Sequence, residues 1–212
     1  TGQNDIVVGS PIAGRNHPQL ENQVGFFINN LILRSNVEGQ LTFRDLLKQM
    51  RALTLEAYQH QTFPFDWLID LLDLPRNMGS SPIFDVSIAL HYLGDLQRSA
   101  TYQSTAGQIV KSLKSQSSQY DMSFVFQEFE DKLLLLLEYN TDLFKLSTIE
   151  RIGDHFLEIL RLAIDNPDTS ISELFFLSEG EVNQLTTEFH RPSLVQEPVT
   201  VIDLFQKQVE LH

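Results

Sequence analysis

The 212 residues carry 15 Lys and Arg against 28 Asp and Glu, a formal net charge of −13, with 42% hydrophobic and 20% charged residues. That balance excludes a largely disordered chain, and its sign repels phosphate backbones, which makes nucleic acid a poor partner. The absence of cysteine excludes a disulfide framework, thiolate metal sites and thiol nucleophiles.

Ile6 to Val8 reads as a short buried strand, followed by a turn at Gly9-Ser10-Pro11 and a loop from Gly14 to Pro18. Val24 to Arg34 is rich in β-formers. One flank carries Phe27, Asn29, Leu31 and Leu33, the other Phe26, Ile28, Asn30 and Ile32, so the pattern predicts a central strand covered on both faces. Thr42 with Asp45 opens a helix whose apolar positions Phe43, Leu46, Leu47, Met50, Leu53 and Ala57 carry it to about Gln59. Pro64 suits the first turn of a short second helix ending near Leu72.

Ile83 to Tyr92 alternates cleanly, with Phe84, Val86, Ile88, Leu90 and Tyr92 on the apolar side and Asp85, Ser87, Ala89 and His91 on the polar side. The polar stretch Gly94 to Gln119 reads as a long excursion with a weak strand signal around Ile109 to Leu113. Met122 to Phe129 and Leu133 to Tyr139 form a hairpin turning at Glu130-Asp131-Lys132. The aliphatic run Leu133 to Leu137 reads as core; it is the longest such run and far short of the ~20 residues a membrane helix needs. Ser147 and Glu150 make a second capping box for a helix with the stripe Ile149, Ile152, Phe156, Leu160, Ala163 and Ile164, stopped near Pro167. Glu179 to Thr187 is a further helix. Arg191-Pro192 and Glu197-Pro198 then punctuate a linker, and Val201 to Leu211 opens an amphipathic helix. The domain boundary is placed near residue 188, giving a main α/β domain over 1–187. No signal peptide opens the chain, and a first residue of Thr1 rather than methionine points to a processed product or a fragment.

None of the histidines (His17, His60, His91, His155, His190, His212) pairs with another ligand at metal-binding spacing. There is no G-x-S-x-G, P-loop or G-x-G-x-x-G pattern, and no EF-hand spacing, so the acidic surplus reads as a solvated face. Asn29 stands on an otherwise apolar flank. Its amide either ties down a neighbouring loop or faces a ligand channel. Arg34 ends its strand in solvent or pairs with a carboxylate. Read residue by residue, the chain is an α/β domain without a self-sufficient active site.

Three segments resemble the later motifs of condensation domains from nonribosomal peptide synthetases. Val24-Gly25-Phe26-Phe27-Ile28-Asn29-Asn30-Leu31-Ile32-Leu33-Arg34 is similar to I-G-x-F-V-N-T-x-x-x-R, with Asn30 in place of the usual Thr. His60-Gln61-Thr62-Phe63-Pro64-Phe65-Asp66 resembles H-Q-D-x-P-F-E, departing at Thr62 and Asp66. Arg76 through Phe84 resembles R-D-x-S-R-N-P-L-F and matches at Arg76, Pro82 and Phe84. Leu204-Phe205-Gln206 looks like the opening of an adenylation domain. The family's catalytic signature, H-H-x-x-x-D-G, has no counterpart here.

The resemblance implies the C-terminal lobe of a condensation domain, residues 1–187, followed over 188–212 by the linker and first helix of an adenylation domain. The implied fold is a chloramphenicol-acetyltransferase-like lobe, a mixed sheet covered by helices, which with an N-terminal lobe forms a V around a tunnel. Phosphopantetheine arms of upstream and downstream peptidyl carrier domains enter that tunnel, and the acceptor amine attacks the donor thioester. Holding the two thioesters together is worth up to ~7–11 kcal/mol in well-oriented systems. No residue here is expected to be catalytic, and no cofactor or metal is bound directly. Asn29 is the channel candidate, while Gly25, Phe27, Arg34, Gln61, Pro64, Phe65, Arg76, Pro82 and Phe84 carry the motifs, Gly25 and Pro64 as structural residues. The alternatives are a docking module for carrier or adenylation domains, and an epimerisation or heterocyclisation relative; Phe27-Ile28-Asn29 stands closer to the condensation pattern than to the F-T-S type. A cytoplasmic location follows from the resemblance. A lobe parted from its partner is expected to expose an apolar strip and self-associate.

Overall fold

All eight residues of strand β1 (Asp5–Ile12) pair antiparallel with the eight of β2 (Asn29–Asn36), from Asp5 opposite Asn36 to Ile12 opposite Asn29. The computed structural model describes residues 2–74, 81–92, 118–129, 132–188 and 200–210. Three more strands, β3 (Val86–Tyr92), β4 (Met122–Phe129) and β5 (Lys132–Tyr139), complete a five-stranded sheet in the order β2-β1-β3-β4-β5. β1–β3 and β3–β4 are parallel and β4–β5 is antiparallel, so the sheet is mixed, and its parallel pairs need crossovers rather than tight turns.

Residues paired across strands share a face. The register therefore lines up Leu33, Val8, Ile88, Phe124 and Leu137 on one side. Helices α1 (Phe43–Gln59) and α3 (Leu146–Asp165) pack on this side, α1 over β2 and α3 over β4 and β5. Gln49 of α1 donates to Ser35 Oγ at 3.1 Å, and Phe156 of α3 packs on Phe124 and Phe126 with centroids 5.9 and 5.8 Å apart. Leu31, Leu33, Ile149 and Ala163 are buried there. Arg44 at the start of α1 is tied to the turn after α3: its N–H reaches Pro167 O at 3.0 Å and its guanidinium grips Asp168.

Several expectations need correction. Among the described strands β2 is not central: it stands at the edge and begins at Asn29, and Val24 and Phe26 before it are exposed. The two-sided apolarity that suggested a covered strand belongs instead to residues at the rim of a cavity described below. In β3 the strand was legible but its burial was not. Ser87 and Ala89, on the face opposite Ile88, are buried, whereas Ile88 and Leu90 on the helix-bearing face are 38% and 68% exposed. A small polar residue can be buried because Ser87 donates to Ser123 Oγ at 2.9 Å, and a satisfied hydroxyl pair loses little on burial. Leu133, read as core, is 58% exposed, and Leu134 to Leu137 are half-buried.

Thr42 caps α1 as expected, accepting the Asp45 N–H at 3.1 Å. Helix α2 (Phe65–Leu71) starts after Pro64. The Ser147/Glu150 box is not formed: α3 begins at Leu146 after Lys145, without a side-chain cap. The preceding turn, closed by Asn140 O accepting from Leu143 and Phe144, sets the entry instead. Arg76 and the excursion from Gly94 to Ser117 lie outside the described residues, as does the turn at Glu130-Asp131.

The chain divides into two compact units, Thr1–Phe175 and Phe176–His212. The second holds α4 (Glu179–Asn183), opened by a Ser178–Glu181 capping box, then a π-helical turn over Gln184–Glu188, and α5 (Val201–Glu210). The expected linker over Arg191 to Pro198 lies outside the described residues. Among the described residues no helix is long and apolar enough to cross a membrane.

Candidate functional site

Asn29 opens β2 and uses its whole amide on the segment that links α1 to α2. Its Nδ2 donates to Gln61 O at 3.0 Å and to Phe63 O at 2.8 Å, and its Oδ1 accepts the Phe65 N–H at 3.1 Å. The bends needed to pass from His60, the C-cap of α1, to Pro64 leave these backbone groups without helical partners. One asparagine presents two donors and an acceptor in a fixed plane and satisfies all three.

Asn30, the next residue, shares the cavity lining with Tyr120. Burial pushes that phenol's pKa up, and the hydrogen bond with Asn30 partly offsets the rise. Behind Tyr120 stands a row of rings: Tyr120 on Phe84 at 5.2 Å, and Phe84 on Phe65 at 5.8 Å. Phe84 is 3% exposed. It fills the space over Gly9, where a Cβ would come within 2.0 Å of the ring, so the glycine is required by the ring and not by a turn.

The opposite wall comes from the Gly14 to Pro18 loop. Gly14 has φ of 62°, and a Cβ on it would overlap the Phe27 carbonyl oxygen; both facts restrict the position to glycine. Arg15 lays its guanidinium over the Phe27 ring at 4.4 Å and donates to Leu20 O, a cation–π contact that holds loop and strand entry together. Gly25 lies against the same ring, 2.8 Å from where a Cβ would sit.

These walls enclose a cavity of about 690 Å³ lined by Phe27, Asn29, Gln61, Pro64 and Phe65, together with Asn30, Tyr120, Gly14 and Asp66 among others. Five of the sequence candidates thus converge on one place. Phe84 stands behind its wall. Gly25 touches it through Phe27. Arg34 lies apart: it forks onto Asp5 at 2.9 and 2.8 Å in solvent, and that bond holds the Asp5 carboxyl below its usual range. Pro82 is half-buried ahead of β3. Sequence reasoning passed over Tyr120, which carries no local signal. The Asn30 substitution in the motif and the Gly14 turn were the visible pointers to its surroundings.

The described lining carries amides and aromatic rings, one carboxylate (Asp66), and no His, Lys or Arg. Such a surface can orient a neutral ligand with both apolar body and hydrogen-bonding groups; it holds no paired acid and base. Among the described residues no cluster of His, Asp and Glu is arranged to hold a metal ion.

A family model described as Condensation domain matches residues 1–186. The chain is 35% identical over 211 residues to bacitracin synthase 1 of Bacillus licheniformis, a match that covers 99% of this chain and 4% of that protein. A four-domain nonribosomal peptide synthetase crystallised with AMP and glycine superposes with a TM-score of 0.73 at 20% identity, covering 85% of this chain and 15% of that one. The first condensation domain of the CDA synthetase gives 0.66 at 17%, covering 84% of this chain and 39% of that one. The fold is therefore that of a condensation-domain lobe, the chloramphenicol-acetyltransferase-like mixed sheet with helices, and the chain spans a minor part of each protein it matches.

Proposed function

The chain belongs to the condensation-domain family, and from that premise we propose that it is the C-terminal lobe of a condensation domain, supplying one wall of the site where peptide bonds form in nonribosomal peptide synthesis. In the reaction the amine of a carrier-bound acceptor attacks the donor thioester carbonyl. A C–N bond forms, the C–S bond breaks, and the amine gives up a proton. The described cavity lining holds a single carboxylate, Asp66, and no His, Lys or Arg, and the sequence contains no adjacent pair of histidines. The His-His motif that would orient the amine or move its proton belongs to the N-terminal lobe.

The observation that carries this reading is the family match across residues 1–186, joined to the convergence of two motif segments, residues 24–34 and 60–66, on one cavity. In this reading residues 1–187 form the lobe, and residues 188–212 are the linker and first helix of a following adenylation domain. Its partners are the N-terminal lobe, the flanking peptidyl carrier domains and the adjacent adenylation domain, all in the cytoplasm. Phosphopantetheine arms tether the substrates. Asn29 serves the channel by fixing the 61–65 segment that lines it.

The test is single-turnover amide formation in the rejoined two-lobe domain, between aminoacyl groups loaded on donor and acceptor carriers, alongside titration of the same domain with the acceptor carrier. Amide product supports condensation. Carrier binding without product supports a docking role alone.

A further inference from the structure

Tyr120 lines the cavity beside Phe27 and Phe65, with its ring packed on Phe84 at 5.2 Å. We propose that Tyr120 is a substrate-binding residue of the cavity, its hydroxyl donating a hydrogen bond to the thioester carbonyl of an uncharged acyl thioester. The identity of the ligand as a thioester rests on the proposed function; the rest is built from the cavity itself.

The volume, about 690 Å³, falls within the ~300–1,000 Å³ common for ligand pockets. The described lining offers no cation to meet a carboxylate or phosphate, and the chain's net charge of −13 further disfavours an anion. What it offers is ring surface from Phe27, Phe65 and Tyr120 beside the amides of Asn30 and Gln61. A neutral chain with carbonyl groups matches that surface.

Tyr120 is held by its ring. The ring packs on Phe84 at 5.2 Å, itself locked over Gly9, so the phenol is fixed before a ligand arrives and little entropy is lost on binding. A phenol carries one O–H donor, and in a lining of rings and amides it is a group that can meet a carbonyl.

The test sets two probes against two proteins, using the two-lobe domain that contains this chain. One probe is the N-acetylcysteamine thioester of N-acetylleucine; the other is the thioether in which a CH2 replaces the thioester carbonyl. Calorimetric titration should give Tyr120→Phe a loss of about 2- to 10-fold in affinity for the thioester, with the thioether unaffected. Equal losses for both probes would reduce Tyr120 to a structural role, and unchanged thioester affinity in Tyr120→Phe, or no binding by the unsubstituted domain, would overturn the assignment. The two proposals fail separately: a domain that forms amide but treats both probes alike loses only the Tyr120 assignment, and one that discriminates the probes but forms no amide loses only the proposed function.

Discussion

The Asn29 side-chain oxygen accepts the Phe65 N–H at 3.1 Å, joining the first residue of β2 to the first residue of α2 across 36 positions. With the same amide bonded to Gln61 O and Phe63 O, the shape of the cavity wall depends on one side chain. Asn29→Ala should cost about 1–3 kcal/mol, since three backbone groups lose a partner together. Urea denaturation would measure the loss, and hydrogen exchange at the Phe65 amide would locate it. An unchanged Phe65 exchange rate would contradict the role given to Asn29.

Gly9 and Phe84 occupy one packed volume, with only 2.0 Å between a Cβ on the glycine and the ring. Gly9→Ala should destabilise by about 1–3 kcal/mol through overpacking. Phe84→Leu in the same protein should recover part of that loss, a coupling of about 0.5 kcal/mol or more in a double-mutant cycle. Additive effects would mean that the ring moves aside freely.

How much of this could be read from the sequence follows from what each signal reports. Thr42 and Asp45 marked the start of α1 because a capping interaction is local. The hairpin of β4 and β5 was legible for the same reason. Which residues of β3 are buried was not, because the burial of Ser87 depends on Ser123, 36 residues away. Phe26 to Ile28 misled because neighbouring residues at the lining of a cavity can all be apolar, as in a covered strand. At the site, the motif segments identified Asn29, Gln61, Pro64 and Phe65. Tyr120 could only be found once the fold had brought it to the cavity wall.

The ion pairs predict an acid limb in stability. Hydrogen bonds from Arg34, Arg44 and Arg161 hold the carboxyls of Asp5, Asp168 and Glu158 below their usual values, and the Thr42 hydroxyl followed by Lys48 does so for Asp45. A carboxylate with a lowered pKa stabilises the fold above its unfolded value, and that contribution disappears as pH falls through the folded one. Urea midpoints should therefore drop below about pH 4, less steeply in Arg44→Gln and in high salt. An identical acid limb in Arg44→Gln would show that the Asp168 pair does not contribute.

Trp67 and Leu71 on α2 are 67% and 74% exposed. Such a surface on the isolated chain should promote self-association, read as a concentration-dependent rise in sedimentation coefficient and diminished by Trp67→Arg. A monomer at all concentrations would argue that this helix needs no cover.

Complementation in trans puts the half-site idea to its most direct trial. Donor and acceptor carriers loaded with aminoacyl thioesters are mixed with this chain, with the separately made lobe bearing the His-His motif, or with both, and the amide is quantified by mass spectrometry. Product from the mixture and none from either polypeptide alone is the predicted result. Product from the 212 residues by themselves, or none from an assembled pair of lobes, would contradict the account.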